Sequence, residues 1–197
     1  GVGLSLVSGI ILQTFPYFML DRLQDVGYLA EPSETNKNPG AQELGIVMTL
    51  GALATLTAQL ALIPRLKLSP KALMVSGSVL LIMSALLTVS IPSLAVFGVA
   101  QIFYGIGQGF SRPGFTSGAS LAVGTTLQGN VAGLVTAANG MGFVASPVFG
   151  LWAYENIHPY FPFLFSAVLL VLMGVFAFFR ATATYNEADE EADTETD

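Results

Sequence analysis

A chain of 197 residues with 53% hydrophobic residues, a mean hydropathy of +0.67 and only 10% charged residues is too apolar for a water-soluble domain, which gives about a quarter of its residues to charge. The formal charge of −6 does not describe an acidic binding surface, because the acids concentrate in the last eleven residues, Glu187 to Asp197, and leave a body close to neutral. The absence of cysteine excludes disulfide frameworks and thiolate metal centres.

Residues 44–64, 72–111 and 113–154 carry no Asp, Glu, Lys or Arg, and residues 159–179 carry no ionisable side chain except tyrosine. A helix of about 20 residues spans the roughly 30 Å hydrocarbon core of a bilayer, so each interval holds one or two crossings. The first span covers about residues 3–20, contains Pro16 and stops at Asp21 and Arg22. Residues 21–43, with Pro32, Pro39 and Gly40, read as a water-exposed connection or a frayed helix end. The second span, 44–63, ends at Pro64, and the basic turn RLKLSPK leads to the third, 72–90.

Ile91-Pro92-Ser93 is a tight reversal into a long fourth span, 94–123, expected to protrude or to kink at Pro113. After the turn GTTLQGN come a fifth span, 131–152, an aromatic connection YENIHPYFP and a sixth span, 161–179, closed by Arg180. The sequence thus predicts an all-α integral membrane bundle of six transmembrane helices over residues 1–180, followed over 181–197 by an acidic, disordered tail. Without an initiator Met, and opening directly in an apolar span, the sequence is expected to continue upstream.

Arg65, Lys67, Lys71 and Arg180 fall on the side of the termini, and Arg22 and Lys37 on the other, so the basic residues predict cytoplasmic termini. Trp152, Tyr154, Tyr160 and Phe161 suit an aromatic belt at the opposite interface.

Polar residues inside the spans are the candidates for function. Gln101, Tyr104, Gln108 and Arg112 recur at intervals of three, four and four, so they form one stripe on the fourth helix. Such a stripe has to face protein or a wet cavity, since each unpaired polar group in hydrocarbon costs several kcal/mol. Gln13 and Tyr17 on the first span, and Asn139 and Phe143 on the fifth, share the four-residue spacing. Each pair suits a cavity wall or an interhelical hydrogen bond. Arg112 suits gating, solute contact, or snorkelling to the headgroups.

The pairs Gly105 and Gly109, Gly114 and Gly118, and Gly129 and Gly133 place small residues on one helical face, as close helix packing in lipid requires. Pro147, with Gly140, Gly142 and Gly150 around it, is expected to bend the fifth helix and to free a backbone carbonyl. His158 lies in a polar connection and reads as interfacial. The sequence holds no metal constellation, cofactor loop, nucleophile and base pair or nucleic-acid patch, so no enzyme and no cofactor is expected. Nor does any carboxylate lie in the middle of a span, where proton carriers generally need one.

Four stretches, QTFPYFMLDRL (13–23), RLKLSPKALMVSG (65–77), YGIGQGFSRPGFTSGAS (104–120) and GNVAGLVTAANGMGFVASPVFG (129–150), resemble the C-terminal six-helix half of a major facilitator transporter. The branch they resemble is that of the drug and proton antiporters, which includes tetracycline efflux carriers. The resemblance implies two three-helix inverted repeats, docked on an N-terminal half absent from this sequence or on a second copy of the chain. It implies alternating-access export or exchange of a small organic solute, with proton coupling, in a bacterial inner membrane. In that arrangement Gln13, Tyr17, Gln101, Tyr104, Gln108, Asn139 and Phe143 face the solute, while Gly105, Gly109, Arg112, Pro113, Gly140 and Pro147 serve gating or helix packing. The competing expectation is a non-transporting scaffold that binds other helices through its small-residue faces.

Overall fold

The computed structural model describes residues 1–30, 37–121 and 127–175; the expected acidic tail lies outside them. All regular structure among these residues is helical: α1 (Val2–Asp25), α2 (Ala41–Leu66), α3 (Pro70–Ser90), α4 (Leu94–Leu121), α5 (Gln128–Asn156) and α6 (Phe161–Val175). The first five are long and apolar enough to cross a bilayer. α1, α2 and α5 run several residues past the apolar runs at one or both ends, because helix continues through flanking polar positions such as Asp21 to Asp25. α2 starts at Gly40, whose left-handed φ of 86° sets the entry into the helix. α3 is capped by Ser69, whose hydroxyl accepts from the Ala72 amide at 3.2 Å, with Pro70 opening its first turn.

Pairing follows small residues. α2 lies parallel to α4, with Gly51 against Gln101 and Gly105, and Ala58 against Gly109. α1 lies parallel to α5, with Gly142 against Val2, Ser5 and Leu6, and Gly150 against Ile10 and Thr14. α3 runs antiparallel to α4, Gly77 meeting Gly107 and Ser111, and α6 runs antiparallel to α1, Phe163 meeting Phe18 and Met173 meeting Gly3. Exchanging the first three helices for the last three maps the α1–α5 and α1–α6 pairs onto α4–α2 and α4–α3. The bundle is therefore two three-helix repeats that swap their second helices, an inverted arrangement with its axis in the membrane plane.

α1 and α4 form the centre and are far more deeply buried along their apolar lengths than α2 and α5. Phe15 and Phe18 of α1, Phe97 of α4, and Tyr160 and Phe163 at the start of α6 interlock at one end, with ring centroids 4.9 to 6.3 Å apart. Pro113 does not end α4, and the helix runs on for eight residues to Leu121. Ahead of Pro64, α2 loosens into a π turn over Ala58–Leu62, a known response to a missing amide donor.

Candidate functional site

The α4 stripe divides in two. Gln101 is 2% exposed and lies against Gly51 of α2. Tyr104 is buried and donates its hydroxyl to the Ser8 carbonyl of α1 at 2.9 Å, tying the two central helices together. Gln108, 6% exposed, turns its Oε1 towards Arg112 and leaves Nε2 without a partner. In this conformation these three take their surroundings from the half-bundle itself. Arg112 alone of the stripe is exposed: its Nε donates to Gln108 Oε1 at 3.1 Å and its guanidinium carbon sits 5.6 Å from the Phe143 ring centroid.

The seam between α1 and α5 carries the second polar set. Ser5 donates to Asn139 Oδ1 at 2.8 Å, and Gln13 Nε2 donates to Ser146 Oγ at 3.1 Å. Ser146 in turn donates to the Phe143 carbonyl at 2.8 Å. That carbonyl is the one freed by Pro147, which has no amide hydrogen to return to position 143. The carbonyl left open by Pro147 within α5 is thus satisfied by one hydroxyl, and that hydroxyl is oriented by Gln13. Ser5, Ser146 and Thr55, which is shared between the Gly51 and Gly105 carbonyls at 3.0 Å from each, do not stand out in the sequence. Only the position of Ser146 directly before Pro147 could have signalled its role.

The outer faces differ in chemistry. Along their middles α3 and α6 expose Val75, Val79, Met83, Leu86, Leu164, Val168, Val171 and Leu172, with no polar side chain among them. The other four helices leave polar groups uncovered: Tyr17 is 55% exposed, Gln13 and Asn139 are half-buried, and Thr49, Thr57, Gln59, Arg112 and Thr136 are exposed.

The glycines split likewise. A Cβ on Gly105 would stand 2.9 Å from Ala54 Cβ, and one on Gly109 2.6 Å from Ala58 Cβ, so both serve packing against α2. Gly114 packs on Pro70, Leu73 and Met74 of α3, with Gly118 just touching Pro70. Among the described residues nothing lies within 4 Å of a Cβ on Gly129, Gly133 or Gly140, which form an open strip on α5. Beside that strip Met141, Val144, Val148, Phe149 and Trp152 line a shallow apolar trough.

At the Ile91 end, Tyr154 donates to Asp21 Oδ2 at 2.5 Å, Arg22 pairs with Asp25 at 2.9 Å and lies 5.2 Å from the Tyr160 ring centroid, and His158 stacks on Tyr160. This end fastens α1 to the connection between α5 and α6. Arg22 and Asp25 are engaged with one another, and Asp21 is engaged by Tyr154. Among the described residues no group of His, Asp and Glu has the arrangement of a metal site.

No curated protein matches this sequence. Residues 2–196 match the family model of the Major Facilitator Superfamily, whose members are transporters and not enzymes. Long apolar helices in an inverted pairing, aliphatic outer faces and a match over nearly the whole sequence agree: the chain belongs to the Major Facilitator Superfamily, as an integral membrane secondary transporter of a small solute.

Proposed function

We propose that this chain is the C-terminal six-helix half of a drug and proton antiporter that exports or exchanges a small amphipathic solute by alternating access. The observation that carries the reading is the contrast between faces. α3 and α6 offer lipid nothing but aliphatic surface, whereas the uncovered amides, phenol and guanidinium belong to α1, α2, α4 and α5. A polar face left towards hydrocarbon would cost several kcal/mol per group, so that side is the one turned to water and to a second six-helix bundle.

On this reading Gln13, Tyr17, Asn139 and Phe143 border the solute path directly. Gln101, Tyr104 and Gln108 support it from behind, or reach it when α4 shifts in the opposite-facing state. The open glycine strip of α5 and the exposed face of α2 receive the other bundle. The coupling carboxylate comes from outside residues 44–154, which contain none. The membrane is the bacterial inner membrane, with the Arg65 end and both termini in the cytoplasm.

The absence of native cysteine makes the test direct. Single cysteines in place of Gln13, Tyr17 and Asn139 are expected to react with a charged, membrane-impermeant thiol reagent much faster than cysteines in place of Val79 and Val168. Equal reactivity across both sets overturns the cavity. Solute flux in proteoliposomes separates a carrier from the scaffold that the same glycine strip would suit.

A further inference from the structure

Arg112 lacks a counter-charge among the described residues. The sequence from 44 to 154 contains no Asp or Glu. The described carboxylates of Asp21, Asp25, Glu43 and Glu155 all sit at the far end of the bundle, beside the start of α4. Arg112 is separated from that start by about 27 Å at 1.5 Å per residue. The one ion pair among the described residues, Arg22 with Asp25, also lies at the far end.

The guanidinium is nevertheless held in a defined pose. Gln108 Oε1 takes its Nε hydrogen at 3.1 Å and Phe143 backs one face, which leaves Nη1 and Nη2 with no acceptor among the described residues. The carboxamide of Gln108 is committed to this orientation even though its own Nε2 is buried without a partner. Two parallel N–H donors on a planar fork match the two oxygens of a carboxylate or phosphate.

We propose that Arg112, oriented by Gln108 on α4 and backed by Phe143 of α5, is an oxyanion subsite that binds the carboxylate or phosphate of an amphipathic solute. This rests on the reading of the polar side of α1, α2, α4 and α5 as turned to water. It narrows the solute class from amphipathic molecules in general to anionic ones. Gln108 acts as a positioning residue, through Arg112.

The test uses the complete transporter carrying this chain, purified in an uncharged detergent, with 4-phenylbutyrate and its neutral amide as probes of equal size. Thermal-shift titrations are expected to show the carboxylate binding about tenfold more tightly than the amide, as a hydrogen bond to a charged group implies. Arg112→Gln should bring that ratio to about one, and Arg112→Lys should restore part of it. Gln108→Glu places a carboxylate against the guanidinium and should also abolish the preference while Arg112 stays in place. Gln108→Leu should lower the ratio without weakening the amide, a split that a merely structural role would not produce.

Equal binding of carboxylate and amide by the native protein, or a preference that survives Arg112→Gln, overturns the proposal. A stabilisation by added phosphatidylglycerol that depends on Arg112, with none by phenylbutyrate, assigns the guanidinium to lipid headgroups and overturns it too. Fast labelling at positions 13, 17 and 139 together with equal probe binding sinks the anion preference alone. Failure of that labelling sinks the cavity itself.

Discussion

Replacing Gly105 with alanine tests whether α2 and α4 are held by backbone proximity. The new Cβ would stand 2.9 Å from Ala54 Cβ and 3.0 Å from the Gly51 carbonyl carbon, a backbone atom that no rotamer change can withdraw. The helices must therefore separate, and the Thr55 hydroxyl loses its reach to the Gly105 carbonyl, now 3.0 Å away. Overpacking of this kind costs about 1 to 3 kcal/mol and an interhelical hydrogen bond in membranes about 0.6 kcal/mol. The better helix propensity of alanine returns about 1 kcal/mol, leaving a net loss of about 2 kcal/mol. Among the described residues nothing lies within 4 Å of a Cβ on Gly174 of α6, so Gly174→Ala keeps the propensity gain without a clash against them. Thermal unfolding in a mild detergent should place Gly105→Ala about 4 to 8 °C below the native protein and Gly174→Ala at or slightly above it. If the two variants melt together, close approach at Gly105 does not hold this pair of helices.

Four further outcomes follow from the same geometry. Ser146→Ala should destabilise by about 1 kcal/mol and should cost less in a Pro147→Ala background, where an amide again serves the Phe143 carbonyl; a double-mutant cycle by thermal unfolding reads the coupling. Tyr104→Phe should lose about 0.6 kcal/mol by removing the bond from α4 to Ser8, measurable as a lower midpoint in the same assay. Tyr154→Phe should free the end of α1 from the α5–α6 connection, and hydrogen exchange of the amides from Asp21 to Asp25 should rise while that of the buried middle of α1 stays unchanged. Gly140→Leu should leave the melting of this six-helix unit unaltered yet abolish solute flux in proteoliposomes, because none of the described residues approaches that position while the proposed second bundle does.

Much of the fold is legible in the sequence because charge-free intervals and the bilayer's thickness set the number of helices and their approximate ends. The ends extend past those intervals because Asp21, Arg22 and Glu43 are compatible with helix once they reach water, and hydropathy alone does not register that. The pairing of helices is less visible: Gly105 and Gly109 announce a close contact but not its partner, and Gly129 and Gly133 carry the same spacing on a face that meets none of the described residues. The stripe on α4 is real as a periodicity, yet periodicity places residues on one face without saying what covers it. Gln101 and Tyr104 are covered by α2 and α1, and Arg112 is left open. The freed carbonyl at Phe143 follows from Pro147, whereas the choice of Ser146 as its partner is set by how α5 packs on Gln13 of α1.

The exchange of second helices between the repeats also dictates when the molecule can assemble. Of the described helices, α2 finds its principal neighbour in α4 and makes only slight contact with α1. The residues that receive Gly51 and Ala58 lie about 50 positions downstream, so at roughly 5 to 20 residues per second the ribosome needs several seconds to deliver them. During that interval α2 has to remain in the translocon's vicinity or in lipid with its small-residue face unoccupied. Its apolar length, among the most hydrophobic of the five spans, equips it to wait there alone.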